Sequence, residues 1–290
     1  MDKSITKAVT SQMKPVTKRR KSIPYTIFTT VSIVFSVAIL LFILLFVTVK
    51  GLPYLKPSLF AFEYTSENVS MMPAIISTII MVALSILIAA PIGIFTAIYL
   101  VEYAKPGSKF VTAIRMVIET LSGIPSIIYG LFGFLFFGIT LGLGYSIISG
   151  VLTISIMILP PIVRSTEEAL IAISKGYREG SFALGAGHLR TIFVIVLPPA
   201  MPGILSGIIL AIGRIVGETA ALLYTLGTST NIPGKLTDSG ITLALHMYRL
   251  SSEGRYTGEA YATGLVLLVI VVLLNAISGL IARKLGGEKK

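Results

Sequence analysis

Two residues of opposite charge lie inside an apolar stretch, where ionisable side chains are costly. Arg214 and Glu218 are four residues apart, so a continuous helix would place both on one face. A charge at the centre of a bilayer costs about 2.5 to 3.5 kcal/mol, and such residues are retained where they face protein or water. A guanidinium group offers forked donors that suit phosphate or carboxylate oxygens. The pair, with the adjacent Thr219, predicts an anion pathway in which Glu218 orients Arg214; the alternative is an ion pair that locks two helices.

Arg115 and Glu119 repeat this spacing in another apolar stretch. We include them in the predicted pathway, and the alternative is that their side chains extend to the membrane interface. The segment S-G-I-P-S follows at 122–126. Pro125 removes a backbone donor there, and membrane proteins tolerate such a break only where it is buried in protein or lines a cavity. We therefore expect an interrupted helix at this point.

The composition requires a membrane environment for the elements that position these residues. Hydrophobic residues make up 54% of the chain and charged residues only 13%, with a mean hydropathy of +0.90. About 20 apolar residues cross a bilayer as a helix. We predict an all-α membrane protein with six transmembrane helices, at 27–49, 72–101, 111–139, 146–163, 199–224 and 259–281.

The basic residues predict the orientation of these spans. Most of the 24 Lys and Arg residues lie in the N-terminal tail, the second-to-third connection, the loop around Glu179 and the C-terminus. By the positive-inside rule, both termini and that loop are cytoplasmic. We divide the chain into a flexible basic cytoplasmic tail (1–24), a first transmembrane helix with an outer loop (25–70), a transmembrane domain (71–282) with a cytoplasmic loop at 164–198, and a cytoplasmic tail (283–290).

Several kinds of chemistry are excluded or disfavoured by residue type. The chain has no cysteine, and its two histidines, His188 and His246, are predicted on opposite sides of the membrane, so they share no metal site. No G-x-S-x-G or H-E-x-x-H pattern occurs, which disfavours an intramembrane enzyme. No G-x-x-x-x-G-K-[ST] occurs either, so the chain is not expected to be an ATPase. We expect it to bind no metal or cofactor.

The loop at 164–198 is polar and helix-compatible between two apolar stretches. Ser165 with Glu168 forms a capping-box pattern, and Ser174 is a second candidate helix start. Gly185 is placed to end a short helix, because glycine adopts the left-handed conformation without a Cβ penalty. The pattern predicts a helical elbow with a few apolar side chains that fit a groove on another protein. The alternative is an amphipathic loop lying on lipid headgroups.

One spacing in this loop resembles a known family. Glu179, Gly185, Ile195, Leu197 and Pro198 follow the spacing of the cytoplasmic EAA loop of ABC importer permeases. This resemblance implies the type-1 importer permease fold, also called MetI-like. It also implies an ATPase-docking surface formed by Glu179, Gly180, Ser181, Phe182, Ala183, Leu184, Gly185 and Ala186. The family usually has Ala-Ala at 180–181, so the glycine weakens this helix by about 1 kcal/mol.

Three further segments narrow the resemblance. The runs at 122–133, 159–170 and 213–224 are similar to the phosphate-specific ABC importer permeases, and to their PstA type more than to the sister PstC type. The resemblance implies a permease subunit that forms half of the pathway of an ATP-driven importer for inorganic phosphate, in a prokaryotic cytoplasmic membrane. It implies as partners a PstC-like sister permease, two copies of a PstB-like cytoplasmic ATPase that uses ATP and Mg²⁺, and a PstS-like phosphate-binding protein outside. Nucleic acid is not an expected partner.

Two alternatives remain open at this stage. One is an ABC importer for another oxyanion, such as sulfate, molybdate or phosphonate, because a single arginine does not separate these anions. The other is a channel or secondary transporter that works without an ATPase. The outer segment at 225–258, with a short helix predicted over 242–250, either contacts the binding protein or plugs the outer mouth.

Overall fold

The computed structural model describes residues 23–105 and 107–285, with side chains described for 27–105 and 107–280. Residues 1–22 and 286–290 of the predicted tails therefore lie outside the described residues. The remaining tail residues, 23–24 and 283–285, belong to the first and last helices. The chain divides into two compact units, Met1–Phe46 and Val47–Lys290.

The described residues are mostly helical and contain no β-strand. The α-helices are α1 (Ile23–Gly51), α2 (Met72–Ile98), α3 (Lys109–Gly123), α4 (Ser126–Gly133), α5 (Ile147–Ile171), α6 (Lys175–Ala183), α7 (His188–Arg190), α8 (Leu197–Val216), α9 (Ala220–Thr225), α10 (Leu243–Glu253) and α11 (Thr257–Leu285). π-helical turns extend α2 (Tyr99–Tyr103) and α4 (Phe134–Thr140) and join α7 to α8 (Thr191–Val196).

In the described part of the chain, five helical stretches are long and apolar enough to cross a membrane, and α3 with the extended α4 makes a sixth if this bent pair counts as one span. The two helices of the pair differ in direction by 103°. Ile124 and Pro125 between them are extended, because Pro125 has no N–H and disfavours the helical conformation of the residue before it. The Tyr129 hydroxyl bridges the break by donating to the Leu121 carbonyl at 2.7 Å. The predicted interruption is present.

A second break was not predicted. The span expected at 199–224 stops at Val216, where α8 ends, and α9 begins only at Ala220. The Glu218 amide donates to the Ile215 carbonyl, and the Glu218 carboxylate accepts from the Ala221 amide at 3.0 Å. The expectation of one continuous helix through Glu218 is therefore wrong, because a side-chain cap starts a new helix there.

The core of the larger unit centres on α5, which packs against both α2 and α8. Small residues allow this approach: a Cβ atom on Gly207 of α8 would lie 1.7 Å from the Ser165 Oγ of α5, and one on Gly203 would lie 2.7 Å from the Ala169 Cβ. Gly213, further along α8, meets nothing within 4 Å. The face of α8 at Gly213 is therefore open, whereas Ala211, Ile215 and Val216 on the other face are buried in the core.

The outer segment at 225–258 is joined to these helices by backbone hydrogen bonds. The Ile147 and Ile148 amides, at the start of α5, donate to the Asp238 and Leu236 carbonyls. α10 corresponds to the short helix predicted over 242–250. Its Leu243 amide donates to Thr78 Oγ1 of α2 at 2.8 Å. The segment thus satisfies helix ends that would otherwise lack partners.

Candidate translocation pathway and docking elbow

The docking elbow, defined here as residues 174–187, begins with a side-chain cap. Ser174 Oγ accepts a hydrogen bond from the Gly176 amide at 3.3 Å, which confirms this residue as a helix start. The capping box predicted at Ser165 is wrong, because α5 continues to Ile171 and Ser165 lies inside it, donating to the Ile162 carbonyl. The tertiary packing of α5 continues that helix through a local signal for the start of a new one.

The elbow ends in a glycine cap. Gly185 has φ +83°, in the left-handed region that was predicted for it. Its amide donates to the Phe182 carbonyl at 2.9 Å, and the Ala186 amide donates to the Ser181 carbonyl at 3.1 Å. This pair of bonds forms the Schellman motif, in which the residue after the cap has the left-handed conformation and is usually glycine. The turn is therefore fixed by backbone hydrogen bonds within the elbow itself.

The elbow exposes apolar side chains on a rigid turn. Leu184 is 90% exposed and Phe182 is 44% exposed. Ser181, by contrast, is buried and hydrogen-bonds the Thr191 hydroxyl at 2.9 Å, so it faces the chain's own interior. The other predicted docking residues are exposed or half-buried: Glu179, Gly180, Ala183, Gly185 and Ala186. Exposed apolar side chains of this kind are typical of surfaces that contact another protein.

Arg214 lies on the open face of α8. Its side chain is exposed, and it forms no ion pair in the part of the chain that the structure describes. One turn before it, Leu210 is 68% exposed, and Gly213 and Gly217 of the same region meet no other helix within 4 Å of a Cβ position. The guanidinium group is thus presented on a stripe of α8 that the described residues leave uncovered.

Glu218 does not share a helix face with Arg214. It is 8% exposed and caps α9 through the Ala221 amide, as described above. The predicted Arg214–Glu218 pair is therefore wrong as a helical i, i+4 pair, because the helix has ended before Glu218. Thr219, half-buried, lies in the turn between α8 and α9, next to Glu218.

The helices that follow the two breaks, α4 and α9, pack closely against each other. A Cβ atom on Gly130 would lie 2.8 Å from the Ala221 Cα, and one on Gly133 would lie 2.8 Å from a methyl carbon of Thr225. Interrupted helices in membranes leave backbone groups that must face protein or water. The packing places both interruptions in one region, with Thr219 in the turn that precedes α9.

Arg115 has a partner that the sequence pattern missed. Its Nη2 lies 2.6 Å from Glu167 Oε1 of α5, although Glu119 has the spacing of a partner on the same helix. Glu119 is exposed on α3. No hydrogen bond or ion pair joins either residue to Arg214 within the described ranges. The place of Arg115 and Glu119 in the pathway therefore stays a prediction, without a direct contact to Arg214 among the described residues.

Sequence reasoning also missed the ion pair beneath the elbow, between Glu102 and Arg178. These residues are 76 positions apart, so no local pattern signals their contact. Among residues 23–105 and 107–285, no group of three or more His, Asp or Glu side chains is placed to hold a metal ion.

Comparison with known proteins places this geometry in a family. Residues 89–287 match the family described as "Binding-protein-dependent transport system inner membrane component". The chain is 37% identical over 219 residues to a probable ABC transporter permease protein, YqgI, of Bacillus subtilis, covering 70% of this chain and 73% of that protein. It is 34% identical over 245 residues to the phosphate transport system permease protein PstA 2 of Mycobacterium bovis, covering 83% and 81%.

Solved structures have the same fold at lower identity. A bacterial ABC transporter involved in the import of the acidic polysaccharide alginate superposes with a TM-score of 0.62 at 18% identity, covering 90% of this chain and 94% of that one. The MetNI methionine ABC transporter, in an inward-facing form, superposes with a TM-score of 0.58 at 20% identity, covering 73% and 93%. The predicted all-α, MetI-like membrane fold is confirmed, as is the PstA-like family resemblance. The family match and the relatives show that this chain belongs to the inner-membrane components of binding-protein-dependent transport systems, the permease subunits of ABC importers.

Proposed function

We propose that the chain is the permease subunit of an ATP-driven importer for inorganic phosphate, and that the docking elbow is where the cytoplasmic ATPase binds. The observation that carries the proposal is the elbow's geometry: a capped helix that ends at Gly185 and exposes Phe182 and Leu184. An exposed leucine on a fixed turn is unfavourable in water and favourable in an apolar groove. The family supports the proposed partners, because its members work with an ATPase, a substrate-binding protein and a second permease.

Arg214 is the residue we assign to the anion. An exposed guanidinium on a transmembrane helix with no ion-pair partner in the described part of this chain is costly in lipid. Covered by a second permease, it would lie at the interface between the two halves and offer forked donors to an oxyanion. Thr219, in the turn before α9, would add a hydroxyl group, and Glu218 would hold that turn in place.

Phosphate is proposed as the substrate because relatives at 34–35% identity carry that name. We further propose a PstC-like sister permease, two PstB-like ATPases that use ATP and Mg²⁺, and a PstS-like binding protein as the partners. The orientation follows from the basic residues: both termini and the elbow face the cytoplasm, and 225–258 faces outside. The domain boundaries given above, including 71–282, remain predictions.

The test is transport by the reconstituted complex. This chain, purified with its partners and placed in liposomes, should take up labelled phosphate only when ATP and the binding protein are present. Sulfate, molybdate and phosphonate should compete weakly. Preferential uptake of one of these anions would identify that anion, instead of phosphate, as the substrate. Uptake by the chain alone, without an ATPase, would support the secondary transporter and overturn the importer.

Orientation is tested separately, and the absence of cysteine makes this simple. Single cysteines at Ser4, Ser174 and Ser251 should react with an impermeant thiol reagent, added to intact cells, only at position 251. Labelling at position 174 would show that the orientation is the reverse of the proposed one, with the elbow on the side opposite to the ATPase.

A further inference from the structure

One guanidinium group joins the docking elbow to two transmembrane helices. Arg178, on α6, donates through Nε to both Glu102 oxygens at 3.1 Å and through Nη2 to Oε1 at 2.6 Å. Its remaining donors reach the end of α5: Nη1 donates to the Ile173 carbonyl at 2.8 Å and Nη2 to the Leu170 carbonyl at 3.0 Å. α2, through its extension, and α5 are therefore tied to the elbow by a single side chain.

The pair is buried. The Glu102 side chain is 5% exposed and that of Arg178 is 16% exposed, whereas the Arg249–Glu253 pair of α10 is 39% and 43% exposed. Buried ion pairs contribute little net stability, because desolvation offsets the attraction, but removing one partner is strongly destabilising. Their clearest effect is to fix the position of the elements they join. An exposed pair such as Arg249–Glu253 has no comparable effect.

An aromatic contact connects the docking surface to the same turn of α2. The His188 ring lies parallel to that of Phe182, with centroids 5.7 Å apart, and edge-on to that of Tyr103, with centroids 4.7 Å apart. His188 Nε2 also lies 3.1 Å from the Glu102 carbonyl oxygen. Phe182, proposed to enter the ATPase groove, is thus held against residues 102–103 by packing as well as by the ion pair.

The other end of α2 contacts the outer segment. Thr78, in the second turn of α2, accepts the hydrogen bond from the first amide of α10 described above. The 27-residue helix α2 therefore has the docking elbow at one end, through its π-helical extension, and α10 at the other. If a movement of the elbow displaces Glu102, the continuous helix α2 can transmit that movement to α10.

We propose that Arg178 and Glu102 are the positioning pair that makes the elbow and α2 move together, so that movement of the docked ATPase reaches α10. This inference rests on the proposed function, because it takes the elbow as the docking site. It adds two residues outside the EAA spacing, and it assigns them to energy coupling rather than to ATPase binding.

The test uses the complete complex in liposomes with two conservative variants, Arg178→Lys and Glu102→Asp. Both keep their charge, and both lose the forked or full-length contact. The ATPase should remain bound and hydrolyse ATP, while the amount of anion taken up per ATP should fall several-fold. Glu168→Gln is the matched control: it changes an exposed carboxylate of α5 that forms no ion pair in the described part of the chain, and it should leave this ratio unchanged.

The double variant Glu102→Gln with Arg178→Gln separates coupling from charge compensation. If the pair only neutralises buried charge, the double variant should recover the wild-type ratio, because no unpaired charge remains. The proposal expects the ratio to stay low. A wild-type ratio in both conservative variants, recovery in the double variant, or loss of the ATPase from the conservative variants would each overturn it. Failure of the wild-type complex to couple uptake to ATP would instead reject the proposed function.

Discussion

The docking elbow and the Arg214 region differ in how much of each is completed by this chain alone. The elbow has its start capped by Ser174, its end fixed at Gly185, and its base clamped by Arg178. Arg214 is exposed on a stripe of α8 that no helix in the described residues covers. Under the proposed function, this difference means that the docking site is preformed in this chain, whereas the anion site would be completed by a second permease.

The largest expected effect comes from Arg214. Arg214→Gln should abolish uptake while the complex still assembles, and Arg214→Lys should be impaired because the forked geometry is lost. Uptake of labelled anion in liposomes and co-purification of the partners measure the two outcomes.

Glu218→Gln is the companion variant, and the structure predicts a mild effect. The glutamine side-chain oxygen still accepts from the Ala221 amide, so the turn before α9 is retained. The double change with Arg214→Gln should not restore uptake. Recovery of uptake in the double variant would mean that Arg214 only holds two helices together. The contrast between a preformed elbow and an anion site at Arg214 would then no longer stand.

Gly185→Val should come next in size. A β-branched residue at φ +83° is strained by about 1 to 3 kcal/mol. The strain should misplace Phe182 and Leu184, so ATP hydrolysis stimulated by the loaded binding protein should fall together with uptake. Insertion and pairing with the second permease should survive, because neither involves the elbow.

Gly187→Val is the matched control for this change. Gly187 has φ −71° and ψ 160°, an extended conformation that valine adopts, and nothing lies within 4 Å of its Cβ position. It should retain stimulated hydrolysis. Normal hydrolysis in the Gly185→Val complex, with its ATPase bound, would remove the docking assignment from this loop.

Acid should destabilise the outer segment at 225–258, in contrast to the docking elbow. Burial lowers the pKa of His246 from 6.5 to about 4, and the contact of its ring with the Val69 backbone opposes this shift without cancelling it. Because the folded pKa is below the unfolded one, this stability is complete above about pH 6.5 and is lost as the pH falls towards 4, by up to about 3 kcal/mol.

Amide hydrogen exchange of α10 between pH 7 and pH 4.5, corrected for the intrinsic exchange rate, measures this effect. His246→Leu, which cannot be protonated, should lose the acid sensitivity. Equal sensitivity in both proteins would show that another group controls this end of the molecule.

The smallest effect is expected from Gly180→Ala. Gly180 lies inside α6, and nothing is within 4 Å of its Cβ position, so an alanine fits without a clash. It should stabilise the elbow by about 0.5 to 1 kcal/mol, because alanine is the better helix former. Slower amide exchange across α6 with unchanged uptake would support a preformed elbow. Lower uptake would mean that the elbow needs its flexibility.

Local sequence determined most of the elbow and the number of spans. Ser174 and Gly185 act through hydrogen bonds to residues two to five positions away, so their spacing alone predicts a start and an end. The apolar runs and the basic loops likewise act through the bilayer and require no knowledge of packing. Pro125 breaks its helix through its own ring and missing donor.

Tertiary structure decided what charged and capping residues do when several partners compete. Ser165 has a capping pattern but lies within α5, since packing against Gly207 of α8 favours continuing that helix. Arg115 pairs with Glu167 of α5, 52 residues away, instead of with Glu119 on its own helix.

Glu218 lies at the spacing of a helical partner for Arg214, but it caps a new helix instead. Glu102 and Arg178 meet only because α2, α5 and α6 converge. The sequence by itself thus determined most of the spans, the Pro125 break and the elbow, because hydrogen bonds between near neighbours and the hydropathy of each segment are local properties. The partner of each charge was decided by the tertiary structure, because it depends on which helices pack together.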